Sequence, residues 1–253
     1  MPRTQLVILA LAVLAAAALA APLSCRYRCG TAQAYADYEI CRDCAESSEG
    51  CRVQLSGMCD QAVYDLADHD LGDLRGMVKF VGPATIVGRG SFAAVDDASF
   101  TDIVFDGHRR CHWPYRANPI AASIEYHNCT FRNWCGRDVI SVEGYGDGTP
   151  SLVVNNVVFD SVDSTVVRAI NLHRVDISVV SAMRCGSPCI QVKMDPRHYE
   201  NLRVANVSYT MEPVVAVDLT YPSRREPDVR AIGGTGADVG IYLSNNDEAD
   251  NQN

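Results

Sequence analysis

The chain has 253 residues and a formal net charge of −9. That balance excludes a nucleic-acid partner bound through a broadly basic surface, because phosphate contacts need clustered Lys and Arg. An acidic polysaccharide can be reached only through a local basic patch or a bridging cation.

The one long apolar run lies at the start of the chain. "MPRTQLVILALAVLAAAALAAPLSC" has Arg3 in a short basic lead, an apolar stretch from Leu6, and Ala18-Leu19-Ala20 as a small-residue cleavage pattern. Residues 1–21 therefore read as a secretory signal cut near Ala20 or Ala21, which makes the protein secreted and leaves no membrane contact after cleavage. An uncleaved anchor is the alternative, although a spanning helix needs about 20 apolar residues and this run barely reaches that length.

Eleven cysteines follow, all downstream of the expected cut. Cys25, Cys29, Cys41, Cys44, Cys51 and Cys59 crowd a region with too few apolar residues for a core of its own, so residues 22–74 are expected to form a small module held by three disulfides. The CxxC spacing at Cys41 and Cys44 also admits zinc or redox chemistry. Cys111, Cys129, Cys135, Cys185 and Cys189 complete the set, and the odd total leaves at least one thiol free or joined to another chain.

From residue 75 onward the chain repeats. "ASFTDIVF" (98–105), "IEYHNCTF" (124–131), "LVVNNVVF" (152–159), "ISVVSAMR" (177–184) and "LRVANVSY" (202–209) share one pattern of alternating apolar residues around a pivot. The pivots read Asp102, Asn128, Asn156, Ser181 and Asn206. A second short alternating stretch follows the last four: "ISVE", "TVVR", "IQVK" and "VAVD", with Val142, Val167, Val192 and Val217 in one expected column. A period of about 25 residues, without a 3.6-residue pattern between the stretches, predicts coils of a parallel β-helix. Leucine-rich repeats share the period but require a leucine-dominated consensus that this chain lacks. The pivots suit a bend in the left-handed conformation, which Asn tolerates and β-branched residues resist.

This pattern resembles the right-handed parallel β-helix superfamily of pectin-lyase-like proteins, whose internal asparagine ladder sits at such a bend. The resemblance implies an all-β fold: a right-handed parallel β-helix of about six coils over 75–243, preceded by the disulfide-rich module. "GMVKFVGPATIVGRG" (76–90) is the expected entry coil, "DVGIYL" (238–243) the last strand, and 244–253 a disordered polar tail. An interior ladder would bury the asparagines of the two glycosylation patterns, Asn128-Cys129-Thr130 and Asn206-Val207-Ser208, and keep glycan off both. The alignment turns Cys129 toward the core and makes it the expected free thiol, while Cys111 can pair with Cys135, and Cys185 with Cys189.

Outward neighbours of the valine column define the expected site. Glu143, Arg168, Lys193 and Asp218 should then stack at about the 4.8 Å strand spacing. Asp138 and Asp163 flank them, with Asp147 in a longer loop and Asp195, Arg197 and His198 beyond Lys193. Adjacent carboxylates repel unless a cation bridges them, and an oxygen-only set of Asp138, Glu143 and Asp163 suits Ca2+. In the superfamily's enzymes this face holds the substrate groove. The resemblance thus implies Arg168 or Lys193 as proton abstractor in β-elimination of a uronate, with Arg197, Asp218 and Asp147 binding substrate. The plain alternative is a solvated ladder of opposite charges.

"CTFRNW" (129–134) and "RCGSPC" (184–189) are similar to short stretches of the cysteine-rich family 3 pectate lyases, and Arg184 matches their arginine ahead of a cysteine turn. Their lysines are replaced here by Ser181 or Ala182 and by the neighbourhood of Asn155 to Val157, and their paired acids by Arg137-Asp138. The resemblance so read describes a relative without the catalytic lysines. Two functions follow as expectations: a non-catalytic scaffold that binds an acidic polysaccharide or cell-surface glycan or builds a surface layer, and a calcium-dependent lyase acting on such a glycan. A trimer or filament is compatible with either.

Overall fold

The computed structural model describes residues 23–46, 50–60, 74, 77–87, 97–107, 118–120, 123–134, 138–144, 149–186, 188–194, 201–211, 215–221, 227–235 and 239–245. The signal segment and residues 246–253 of the expected polar tail lie outside these residues, whereas Ser244 and Asn245, expected as the start of a disordered tail, continue the last strand by pairing with Thr220 and Tyr221. The described chain is a parallel β-solenoid of about five turns, close to the expected six.

Two sheets carry it. The first contains β1 (Leu23–Cys29), β2 (Cys51–Asp60), β3 (Met77–Val87), β4 (Asp97–Asp106), β6 (Ser123–His127), β7 (Thr130–Trp134), β9 (Ser151–Val162), β11 (Arg174–Cys185), β13 (Asn201–Met211) and β15 (Asp228–Thr235). The second runs β16 (Val239–Asn245), β14 (Val215–Tyr221), β12 (Ile190–Met194), β10 (Val167–Leu172), β8 (Ile140–Gly144) and β5 (Asn118–Ile120). The chain alternates between them from β4 onward, so each coil adds one rung to each sheet. Every strand pairing is parallel.

Strict alternation in the sequence becomes strict alternation of burial. In β9, Leu152, Val154, Val157 and Phe159 are buried while Val153, Asn155, Asn156 and Val158 are not. Between the two inward pairs the strand turns on Asn156, at φ 53°. The first sheet is therefore folded along a line, and the two halves of each strand meet at one left-handed residue. Inside the fold, Phe80, Phe100 and Tyr126 stack at 5.0 and 5.1 Å, and Phe105, Phe131 and Phe159 stack at 4.6 and 5.2 Å. Edge-to-face contacts join these two ladders across the bend, Phe100 to Phe105 at 5.6 Å and Tyr126 to Phe131 at 5.5 Å, a geometry that the ring quadrupoles favour.

The bend corrects two expectations. Asp102, Asn128, Asn156 and Asn206 take positive φ as predicted, but the coil between Asn156 and Asn206 turns on Val179, at φ 54°, and not on Ser181. Val180 pairs with Val157 and Val207, whereas Ser181 pairs with Val158 and Ser208 inside the strand. A slip of two residues produced the error: it preserves which side chains face the core, so alternation alone cannot detect it. The bend also points outward. Asp102, Asn128, Asn156 and Asn206 are exposed, so the ladder is an external ridge, and the expected burial of both glycosylation patterns is overturned. Within it Asn156 Nδ2 donates to Asn128 Oδ1 at 2.8 Å.

The cysteine-rich stretch carries three disulfides, as expected: Cys25–Cys41, Cys29–Cys59 and Cys44–Cys51. Cys25–Cys41 and Cys44–Cys51 fasten the one described helix, α1 (Ala34–Ala45), to β1 and β2, and Cys29–Cys59 joins those two strands to each other. Arg28 clasps the same helix: its backbone N, Nε and Nη2 donate to the buried Asp37 carboxylate at 3.0, 2.8 and 2.7 Å. These bonds hold Asp37 below the usual carboxylate range and raise Arg28. The expected boundary at residue 74 coincides with no break in the sheet, because β1 and β2 pair with each other and β2 with β3. The stretch expected as an entry coil is thus the third rung. Cys185–Cys189 closes a turn between the sheets, and Cys129 is buried and free; Cys111 and Cys135 lie outside the described residues. Among the described residues no helix is long and apolar enough to cross a membrane.

Candidate functional site: the outer face of the second sheet

Strands β8, β10, β12 and β14 place the expected site residues, and their register differs from the 25-residue column. Val142 pairs with Ala169, which pairs with Val192 and through it Leu219; Val167 is level with Ile140 and Ile190, and Val217 with Ile190. Val142, Val167, Val192 and Val217 all face the core as expected, but they belong to two rows. The outward side chains split accordingly. Ser141, which is buried, Arg168, Gln191 and Asp218 form one row, and Glu143, Ile170, Lys193 and Thr220 form the other. The expected single stack of Glu143, Arg168, Lys193 and Asp218 does not exist.

The split decides which charges meet. Arg168 Nε lies 3.7 Å from Asp138 Oδ2, both side chains being partly exposed. Asp218 Oδ2 accepts a hydrogen bond from Gln191 Nε2 at 3.1 Å. Lys193 is exposed and has no ion pair among the described residues, and Ile170 separates it from Glu143. Gln191, Ile170 and Thr220 escape a reading of the sequence because register, and not alternation, decides which outward side chains share a row. Their signal was the alternation itself, applied with a two-residue offset.

The acids expected to hold Ca2+ are not gathered by strand pairing. Asp163 does not sit over Asp138: its N–H donates to Trp134 O at 3.1 Å, while Val139 N–H donates to Thr165 O at 2.9 Å. Among the described residues the only His, Cys, Asp and Glu side chains whose ligand atoms cluster in threes are Cys25, Cys44 and Cys51. Those sulfurs are committed to disulfides. Asp147, Asp195, Arg197 and His198 lie outside the described residues.

No protein-family profile, curated protein or solved structure matches the chain.

Arg184 ends β11 in the left-handed conformation, at φ 58°, exposed and directly before the Cys185–Cys189 turn. It belongs to the first sheet, whereas Arg168 and Lys193 belong to the second. The segments that suggested a lyase-like arginine therefore place it near the end of an interior strand of a different sheet from the other two candidate bases. On the opposite side of the molecule's wall, the outer face of the first sheet carries Asp176, Arg203 and Asp228 in one row, with Arg203 at 3.2 Å from Asp176 and 3.6 Å from Asp228. That row is a charge ladder of the ordinary kind, each exposed pair contributing a fraction of a kcal/mol, about 0.2–1.

Proposed function

We propose that this chain is an exported, non-catalytic parallel β-helix whose second sheet presents a face for acidic glycan. The observation that carries the reading is the separation of Arg168 and Lys193 into neighbouring rows, with Ser141 and Gln191 next to Arg168 along its row and Ile170 and Thr220 next to Lys193 along the other. Dispersed cations on a parallel sheet suit the repeated carboxylates of a polymer. A proton abstractor needs instead a base and a charge-stabilising group converging on one carbon. Four disulfides among the described residues fit an oxidising extracellular setting. In the same reading Ca2+ bridges uronate carboxylates to Asp138 or Glu143, which flank the two cations.

Retention on immobilised polygalacturonate, with and without calcium, tests it. The Arg168→Ala/Lys193→Ala double variant is expected to lose binding while its melting temperature stays within a few degrees, because partly exposed charges contribute little to stability. Formation of unsaturated product, followed by ultraviolet absorbance, would overturn the non-catalytic reading in favour of a calcium-dependent lyase. A wild-type protein that ignores acidic glycans under both conditions leaves a surface scaffold without this ligand.

A further inference from the structure

We infer that Asn206 is an N-glycan acceptor, with the glycan standing on the external ridge of the first sheet. The inference rests on the export proposed above. Asn206-Val207-Ser208 has the acceptor pattern, in which the hydroxyl two residues on is the second requirement. A β-helix with an inward ladder would forbid modification. Here the ridge is outside: Asn206 is exposed at φ 54°, in the one-residue bend between the two halves of β13, with Val207 buried behind it and Ser208 exposed.

Its neighbours along the ridge leave it room. Val179 lies below and Ala231 above, each exposed and in the same left-handed conformation. Neither side chain can hydrogen-bond the Asn206 carboxamide, so the solenoid loses no ladder contact when Nδ2 is substituted. Asn128, the other candidate, has the Asn156 side chain beside it, with Asn156 Nδ2 donating to Asn128 Oδ1, so its carboxamide is more crowded than that of Asn206. The ridge is on the first sheet, so a glycan on Asn206 leaves the row of Lys193 on the second sheet open and covers the exposed Val179 instead.

The chemistry is transfer from a polyisoprenyl-diphosphate oligosaccharide. Asn206 Nδ2 attacks the anomeric carbon, an N–C bond forms, and the bond from that carbon to the diphosphate oxygen breaks. The lipid diphosphate leaves with the electron pair, and the Nδ2 proton passes to a base of the transferase. Oδ1 is untouched.

The test uses the full chain with its own leader, expressed in eukaryotic secretory cells and recovered from the medium. Peptide mapping before and after peptide N-glycosidase treatment in heavy-oxygen water is expected to show Asn206 converted to labelled Asp. Asn206→Gln and, with the asparagine kept, Ser208→Ala should each abolish the label at that site and the mobility shift it causes. A secreted, disulfide-bonded protein with unmodified Asn206 overturns this inference alone. A chain held inside the cell with its cysteines reduced overturns the export reading and this inference with it.

Discussion

Val179 is the residue at which local preference and fold conflict. A β-branched side chain at φ 54° is sterically disfavoured, and the left-handed region costs an ordinary L-residue roughly 1–2 kcal/mol. The residue is 47% exposed, so little burial offsets that cost. Val179→Asn is therefore expected to stabilise the protein by about 1 kcal/mol, because Asn tolerates this conformation, seen as a higher denaturant midpoint at unchanged slope. Cys129 is the opposite case, a residue the fold shields. Burial pushes its thiol up to about 11, while its Sγ donates to His127 O at 3.3 Å and Phe100 O at 3.5 Å. The thiol should resist alkylation at neutral pH until the protein unfolds. The raised value also makes stability depend on pH. Below the unfolded value of 9.0 the contribution is whole, and it is lost as pH rises toward the folded value of about 11, since the unfolded chain releases the proton first. Cys129→Ala should lack this part of the alkaline decline, which is measurable as a difference between the two stability profiles from pH 8 to about 11.

At the scale of the element, each strand of the first sheet is two short strands joined by one left-handed residue, and the aromatic ladders hold the halves at their angle. Phe131 occupies the centre of one ladder, stacked between Phe105 and Phe159 and edge-on to Tyr126. Truncating it removes partners on two rungs and leaves a cavity that the stiff neighbouring strands cannot close. Phe131→Ala should cost about 3–5 kcal/mol. Val153→Ala, on the outer face of the adjacent rung, should change stability little. Equilibrium denaturation of the two variants side by side measures the contrast.

At the scale of the molecule, the disulfides among the described residues fasten the first rungs more than the later ones. Cys29–Cys59 closes a separation of 30 residues and Cys185–Cys189 one of 4. Loop-closure entropy grows with the logarithm of length, so replacing the first pair by Ala should cost about 1–2 kcal/mol more than replacing the second. Chemical denaturation of both double variants tests that order. The parallel β-helix, the core side of the repeated alternating strands, the disulfide-rich start and the buried free Cys129 were all legible in the sequence, whereas the strand Asp228–Thr235, which lacks alternation, was not. The sequence also marked Asp102, Asn128, Asn156 and Asn206 as bends, because Asn and Asp are the side chains that tolerate the left-handed region. Register, and with it the site, came from packing of coil on coil. The coil from Leu152 to Val175 is shorter than that from Val175 to Leu202, so the constant spacing of Val142, Val167, Val192 and Val217 does not follow the physical rungs. A two-residue slip leaves every inward residue inward and is invisible to alternation, yet it moves Arg168 out of line with Lys193 and places Val179 at a bend. Whether the bend faced inward or outward was likewise undetermined, because one left-handed residue between two strands fits either side until the coils above and below fix which way the wall folds.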